Sequence, residues 1–428
     1  MNLAPARLAP PDPPTRVASS FDPRSGRGYL ARGRLLGLIG PAFVAAVAFV
    51  DPGNIAINVS AGADYRYLLL WTVVTASGMA MVVQYLSAKL GLATGYSLAE
   101  VCRENTSTPV RIMLWLVAEL VVIMTDVAEF VGGAIALNLL FDIPMLTGGL
   151  IVAATTLGIL RLRIRGRDGF PVVVVALLMV LLLAFAYLIA RSSLSPAAAV
   201  SGLVPRLGNS HSVLLACGIV GATVMPHAVF LHSSLVSGLD ANVRSIRTRV
   251  MLRFLRRDVV IAMGIAGLVN VLMLLVATSL PAGAGNSLSD VHSAFAQTRG
   301  VLFAGVFAVG LLASGLASAC AGVYSGQAVM QGFLQRNSSV WLRRSVSSVP
   351  ALIILALVSD PTQALIASQV VLSFGLPFAL IPLMMFTARR SLMGQFTNRT
   401  LTTIAGLLIT ATVLSLNGFL LARLFLTG

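Results

Sequence analysis

The sequence has little charge for its length, and this shortage excludes a large class of protein. Only 11% of its 428 residues are charged and 57% are hydrophobic, whereas soluble domains carry about 25% charged residues. The few charges stand in short gaps between apolar runs of about 20 residues, the length that crosses ~30 Å of hydrocarbon. A soluble protein is therefore excluded, because it would have almost no polar surface.

Cysteine is nearly absent, and the three cysteines form no pattern. Cys102, Cys217 and Cys320 stand far apart without CxxC spacing, so neither a disulfide framework nor a cysteine metal site is predicted. We expect them to be small apolar residues in helix packing.

Acidic residues are also scarce, since 15 Asp and Glu stand against 30 Lys and Arg, a formal charge of +15. This balance does not predict nucleic acid as a partner, because the arginines lie between apolar segments and form no basic face studded with aromatics. Basic residues beside membrane spans are a topology signal. Residues 1–34 are polar and Pro-rich, which predicts a disordered cytoplasmic tail rather than a secretory signal.

Eleven apolar segments predict an all-α integral membrane protein, because helices leave no backbone group unpaired in lipid. We number them spans 1 to 11, at 35–62, 68–93, 111–139, 144–160, 170–190, 212–237, 258–280, 301–326, 345–358, 363–387 and 401–424. With the N-terminus inside, 24 arginines are cytoplasmic and five are external, namely Arg66, Arg191, Arg206, Arg299 and Arg423. The positive-inside rule therefore predicts eleven crossings, a cytoplasmic N-terminus and an external C-terminus.

Eleven spans divide into a first repeat at 35–190, a second at 212–387 and one extra helix at 401–424. Because five is odd, two five-helix halves have opposite orientations, which is the inverted repeat of many secondary transporters. The first span of each half is interrupted, by DPGN at 51–54 and by MPH at 225–227. Proline frees carbonyls one turn earlier, at Ala48 and Ala222. Matching interruptions predict a substrate site near the membrane midplane.

The interruption of span 1 places a carboxylate deep in an apolar run. Asp51 is costly there and is expected to pair or titrate; it is either a ligand or a cap of the broken helix. With the Asn54 amide and freed carbonyls, it would suit a hard cation such as Mg²⁺ or Ca²⁺. Met225 in the opposite break changes this prediction, because a thioether favours transition metals.

Titratable side chains in spans 3 and 6 predict proton transfer. His227 and His232 of span 6 are candidates, since imidazole titrates near neutral pH; hydrogen-bonded core histidines are the alternative. Glu119, Asp126 and Glu129 fall on one face of span 3 and need protons, water or cations as partners. Such a row is typical of a proton relay, and a face paired to arginines for assembly alone is the other interpretation. The candidate cations are Arg343 and Arg344.

Three further polar residues lie within spans. Gln84 and Asn270 are expected to connect helices by hydrogen bonds. Gln369 of span 10 is expected to reach the metal in only one conformation.

DPGN in span 1 and MPH in span 6, with TDVAEF in span 3 and SQVVLSFGLPFAL in span 10, resemble the Nramp family of metal-ion transporters over about residues 35–424. The resemblance implies a LeuT-like 5+5 inverted repeat with spans 1 and 6 unwound, and alternating access. It implies a metal site made of Asp51, Asn54, Met225 and the carbonyls of Ala48 and Ala222, which Gln369 joins in the occluded state. It also implies a proton route from Asp51 through His227, Glu129 and Asp126 toward Arg344, with Glu119 further out.

A protein of this kind would lie in a bacterial inner membrane and import Mn²⁺, and also Fe²⁺, Cd²⁺, Co²⁺ and Zn²⁺, together with protons. It would work as a monomer, without a cofactor and without enzymatic activity. Branches of the family that carry magnesium or aluminium lack the span-6 methionine, and this sequence keeps Met225.

Three other classes compete with this interpretation. A LeuT-fold carrier of an organic solute would leave Met225 without a role, and Asp51 disfavours an anionic substrate. A membrane metalloenzyme would need a motif such as HExxH, and the sequence has none. A passive cation channel would show metal flux that a pH gradient does not drive.

Overall fold

All regular structure is helical in the part of the chain that the computed structural model describes, which is residues 41–164, 169–238, 241–281, 283–336, 339–358 and 360–427. The predicted tail at 1–34 and the first residues of span 1 lie outside this part, as does part of the loop after span 4. The all-α prediction is confirmed for the described residues.

A helix occupies the position of each predicted span. Spans 1 and 6 are each two helices, Pro41–Ala48 with Pro52–Tyr65 and Ser210–Val224 with Pro226–Ser237. The other spans are Leu70–Thr94, Thr108–Phe141, Met145–Ile164, Gly169–Ala190, Ala241–Ala277, Val301–Leu334, Val340–Leu357, Pro361–Ala388 and Thr400–Thr427. The predicted ends agree to within a few residues except at the start of spans 7 and 9 and at the end of span 8.

Helix length and composition give fewer membrane crossings than the eleven that the apolar pattern predicts. Within the described residues, eight helices are long and apolar enough to cross a membrane, or nine if the bent pair of span 1 counts as one. Span 4 has only a short apolar part, Met145–Leu160. Span 9 carries Arg343 and Arg344 and contains Pro350. The count of eleven membrane-crossing helices therefore stays a prediction.

The predicted start of span 7 at residue 258 was wrong, because the helix begins at Ala241. The arginine-rich segment before 258 was assigned to a loop for its charge. Arginine is nevertheless a good helix former, so a helix can continue past the apolar stretch into water. Short helices at Leu98–Asn105, Pro196–Ser201, Leu288–Arg299 and Arg390–Met393, with 3₁₀ turns at Ala284–Asn286 and Gly394–Phe396, occupy the connections.

Spans 3 and 8 pack closely at the centre, beside the broken span 1. A Cβ on Gly315 of span 8 would lie 3.3 Å from the Glu129 carbonyl of span 3 and 3.4 Å from Pro52. A Cβ on Gly132 of span 3 would overlap the Pro52 ring. Small residues permit such close approach of membrane helices, and here they place the acidic face of span 3 next to the break of span 1.

Candidate metal centre

The break in span 1 follows from its residue order. The first helix ends at Ala48 in tight turns, with Phe49 N–H donating to the Ala46 carbonyl at 3.0 Å. Asp51 is extended (φ −78°, ψ 166°), the conformation favoured before a proline. The second helix then begins with Pro52 in its first turn, and the two helices are bent by 56°.

Asp51 is both a cap and a possible ligand. Its Oδ1 accepts from Asn54 N–H at 2.8 Å, which satisfies one of the unpaired donors at the start of the second helix. Its Oδ2 is buried and has no hydrogen-bond partner among the described residues. The two interpretations of Asp51 are therefore compatible, since each uses a different oxygen.

The break in span 6 has the same origin. Pro226 has no N–H for the Ala222 carbonyl, which lies four residues earlier. Met225, between the two helices, has φ +22° and is fully buried. A positive φ is costly for a residue with a Cβ, so the surrounding structure holds Met225 in this conformation.

Asn54 joins the two breaks. Its Nδ2 donates to the freed Ala222 carbonyl at 2.8 Å and to the Phe49 carbonyl at 3.1 Å, and it also lies 3.1 Å from Asp51 Oδ1. Its Oδ1 is left without a partner in the described part of the chain. The prediction that Ala222 has a freed carbonyl is confirmed, and the Asn54 amide uses it here.

Gln369 of span 10 lies against the same break. A Cβ on Gly53 would overlap its Nε2, and that amide nitrogen donates to the Ser368 hydroxyl at 3.1 Å. The Gln369 Oε1 is buried and has no partner among the described residues. Glycine at position 53 is therefore what lets the Gln369 amide of span 10 pack against the residue that directly precedes Asn54.

Three residues at or against the break, Asp51, Asn54 and Gln369, thus each keep a buried oxygen without a partner among the described residues. Buried polar atoms are nearly always satisfied, so three such residues beside one break indicate a ligand that is attracted to oxygen. No cluster of three or more His, Cys, Asp or Glu that could hold a metal occurs among the described residues. A metal here would have one carboxylate, with amide oxygens, a thioether and carbonyls as its other donors.

The acidic face of span 3 is paired with arginines. Arg344 Nη1 lies 2.5 Å from Asp126 Oδ1 and 3.3 Å from Glu129 Oε2. Arg343 Nη2 lies 2.7 Å from Glu119 Oε1. The structure therefore brings both candidate arginines of span 9 to span 3, although sequence spacing did not place these helices together.

The Arg344 side chain is almost completely buried. It is 1% exposed, and its guanidinium lies over the Phe130 ring at 4.3 Å from the centroid. Its Nε and Nη2, together with Glu129 Oε1, have no partner in the described region. A buried network with such unused donors and acceptors can rearrange its hydrogen bonds or take up a proton or water.

His227 reaches span 3 through a residue that sequence analysis missed. Its Nδ1 lies 3.1 Å from the Thr125 hydroxyl, which donates to the Val121 carbonyl at 3.0 Å. With its hydrogen used in this way, the Thr125 oxygen can accept from Nδ1–H, so Nε2 would be the unprotonated nitrogen of a neutral His227. Thr125 is the first residue of the TDVAEF motif, directly before Asp126. Its place in this motif was the sequence feature that could have identified it.

The other predicted polar residues connect helices. His232 Nδ1 lies 2.8 Å from Gln84 Oε1 of span 2, and Asn270 of span 7 donates to the Phe49 carbonyl at 3.3 Å. The connecting role predicted for Gln84 and Asn270 is confirmed. No hydrogen bond between described residues joins His232 to the acids of span 3, so its part in a proton route stays a prediction.

All three cysteines are buried and unbonded, as their spacing predicted.

Comparison with known proteins gives one consistent result. The profile of the Nramp family (natural resistance-associated macrophage protein-like) matches residues 42–423. A divalent metal cation transporter MntH from Mycobacterium leprae is 48% identical over 386 residues, covering 89% of this chain and 90% of its own.

Solved structures agree with the sequence match. A manganese transporter from Eremococcus coleocola superposes with a TM-score of 0.80 at 32% identity, covering 90% of this chain and 85% of its own. MhsT, crystallised with L-phenylalanine, superposes with a TM-score of 0.58 at 14% identity, covering 90% of this chain and 99% of its own. At that identity the likeness to MhsT shows a shared LeuT-like fold and nothing about substrate.

Proposed function

Because the chain belongs to the Nramp family of divalent metal transporters, we propose that it imports Mn²⁺ together with protons by alternating access. Fe²⁺, Cd²⁺, Co²⁺ and Zn²⁺ are the further substrates we propose. The observation that supports this most is the group of three unpartnered buried oxygens at the break of span 1, on Asp51, Asn54 and Gln369.

We propose that these three oxygens bind the metal together with the Met225 thioether and the carbonyls of Ala48 and Ala222. The first helix of span 1 ends at Ala48, and Pro52 cannot donate to that carbonyl. One formal charge among the ligands suits an ion that has to be released. The thioether favours transition metals over Mg²⁺ and Ca²⁺, which prefer oxygen.

We propose that protons take a separate route from Asp51 through His227, Glu129 and Asp126 toward Arg344, with Glu119 further out. Pro52, directly after Asp51, packs against span 3 close to Glu129. The Thr125 hydroxyl orients His227. The span-3 acids are already paired with arginines. Because this pairing neutralises their charge, they attract a metal ion less strongly than Asp51 does.

The chain is a multi-pass membrane protein. We propose that it lies in the bacterial plasma membrane as a working monomer, with a cytoplasmic N-terminus and an external C-terminus. We place the two repeats at 35–190 and 212–387, with the extra helix at 401–424, and we propose no resident cofactor, since metal and protons are cargo.

The experiment that tests this proposal is uptake into proteoliposomes that carry a metal-sensitive dye and a pH-sensitive dye in separate preparations. We expect Mn²⁺ entry that a pH gradient accelerates, with protons entering alongside, and competition by Fe²⁺, Cd²⁺, Co²⁺ and Zn²⁺. A rate of metal entry that does not depend on the pH gradient would indicate a channel. Absence of Mn²⁺ entry, with uptake of an organic solute, would refute metal transport.

A further inference from the structure

A cavity of about 490 Å³ lies where span 5 ends and span 8 begins, at the face predicted to be external. It is lined by Tyr187, Ala190, Arg191, Thr298, Arg299 and Phe303. Two arginines in one cavity are notable on this face, because the sequence analysis assigns it only five. The metal centre and the acidic face of span 3 do not contribute to this cavity.

The two guanidinium groups have no acidic partner. Arg299 Nη1 donates to the Arg191 carbonyl at 3.1 Å, and its Nη2 donates to the Ser193 hydroxyl at 3.2 Å. Among the described residues, neither arginine forms an ion pair with a carboxylate. Like charges that line one cavity repel each other, so an anion between them would be stabilising.

Two aromatic rings line the cavity, and exposed apolar side chains stand next to its residues in the sequence. The Tyr187 and Phe303 rings have centroids 6.4 Å apart, and Phe303 packs on Phe295 at 4.9 Å. Between the lining residues Arg299 and Phe303 in the sequence, Val301 is 80% exposed and Leu302 is 71% exposed. A ligand with an anionic head and an apolar tail would meet both surfaces.

We propose that this cavity binds the phosphate group of an anionic phospholipid, with Arg191 and Arg299 as its ligands and an acyl chain along Val301 and Leu302. Arg191 directly follows span 5, and Arg299 stands two residues before span 8. Both backbones are therefore at the end of the hydrocarbon layer, where lipid phosphates lie. Arginine can bind phosphate oxygens through two parallel hydrogen bonds. The lipid would tie the outer ends of spans 5 and 8 together.

The test compares three probes on the purified protein in detergent: phosphatidylglycerol, phosphatidylcholine and inorganic phosphate. Retained lipid is measured by native mass spectrometry, and melting temperature is followed in parallel. We expect phosphatidylglycerol to be retained and to raise the melting temperature more than either other probe. Replacing both arginines, Arg191→Gln with Arg299→Gln, should weaken phosphatidylglycerol binding by about tenfold or more, the effect of losing a charged hydrogen bond.

Arg206→Gln is the matched control. Arg206 is exposed on the same predicted face. Its backbone carbonyl accepts from Trp71 Nε1–H, and a substitution of the side chain keeps this carbonyl. We expect this variant to bind phosphatidylglycerol as the unchanged protein does.

Three results would overturn the proposal. Equal stabilisation by inorganic phosphate would make the cavity a general anion site. Equal retention of phosphatidylcholine would show that the arginines do not select an anionic head. Unchanged phosphatidylglycerol affinity in the double variant would place the lipid elsewhere. If the double variant does not fold, Arg191→Lys with Arg299→Lys keeps both charges, and should bind more weakly than the unchanged protein but still prefer phosphatidylglycerol.

Discussion

The candidate metal centre and the acidic face of span 3 differ in whether their carboxylates have a cationic partner. At the candidate metal centre, the Asp51 carboxylate forms no ion pair with any described residue. On span 3, Glu119, Asp126 and Glu129 all have an arginine within ion-pair distance. Asp51, Asp126 and Glu129 are all buried, so the contrast between them does not come from solvent.

If Asp51 binds the metal and the span-3 acids carry protons, as we propose, this difference explains how one small region would keep the two cations apart. A divalent ion requires oxygen ligands and a negative charge that no arginine already neutralises, and Asp51 has such a charge at the break. Carboxylates that are already paired attract a second metal weakly, but a proton can still exchange among them. The predictions below change one region at a time, from the largest expected effect to the smallest.

Asp51→Asn should abolish metal uptake while the protein still folds. An asparagine oxygen can still accept from Asn54 N–H, so the cap survives and only the charge is lost. The measurement is Mn²⁺ uptake in proteoliposomes, with Asp142→Asn, an exposed residue at the end of span 3, as the control. Near-normal uptake by a folded Asp51→Asn protein would mean that Asp51 serves only as a cap.

Glu129→Gln and His227→Ala should reduce proton flux by at least about tenfold, and change Mn²⁺ binding much less. Glutamine cannot carry the proton, and alanine removes the imidazole that contacts Thr125. Proton entry is followed with a pH-sensitive dye and metal binding by calorimetry, with exposed Glu104→Gln as the control. The assignment fails if either variant loses Mn²⁺ binding and keeps its proton flux.

Gly53→Ala should lower Mn²⁺ affinity by roughly tenfold, because the added Cβ displaces the Gln369 amide. The side chain can move, so folding should survive. Gly78→Ala is the matched control, since a Cβ at this position of span 2 meets nothing within 4 Å. Equal affinity in both variants, measured by calorimetry, would show that Gln369 is not a ligand.

Met225→Ala should have the smallest effect on Mn²⁺, about 1 kcal/mol or fivefold in affinity. The affinity for Cd²⁺, a softer ion, should fall further. Ca²⁺ or Mg²⁺ should begin to compete for the site, because water can replace the sulfur as a ligand. The measurement is uptake of Mn²⁺ and Cd²⁺ with an excess of Ca²⁺ or Mg²⁺ present. Unchanged Cd²⁺ transport and unchanged exclusion of the hard ions would show that Met225 is only a packing residue.

The sequence by itself determined where each helix lies, apart from some helix ends, together with the two breaks and the chemical type of the proposed metal donors. These features depend on local rules: apolar length, proline geometry, and a carboxylate and a thioether placed at the breaks. The paired breaks also indicated which helices carry the substrate, because a matching interruption in each half has a direct physical meaning.

Only the tertiary structure decided which partners these residues have. Spacing within span 3 predicted one acidic face but could not place span 9 beside it, since the Arg344–Asp126 pair joins residues 218 apart. The same holds for Thr125 with His227, Gln369 against Gly53, and Asn54 with the Ala222 carbonyl. Such contacts depend on how close the helices approach, and small residues such as Gly53 and Gly132 set that distance through packing that local sequence patterns do not encode.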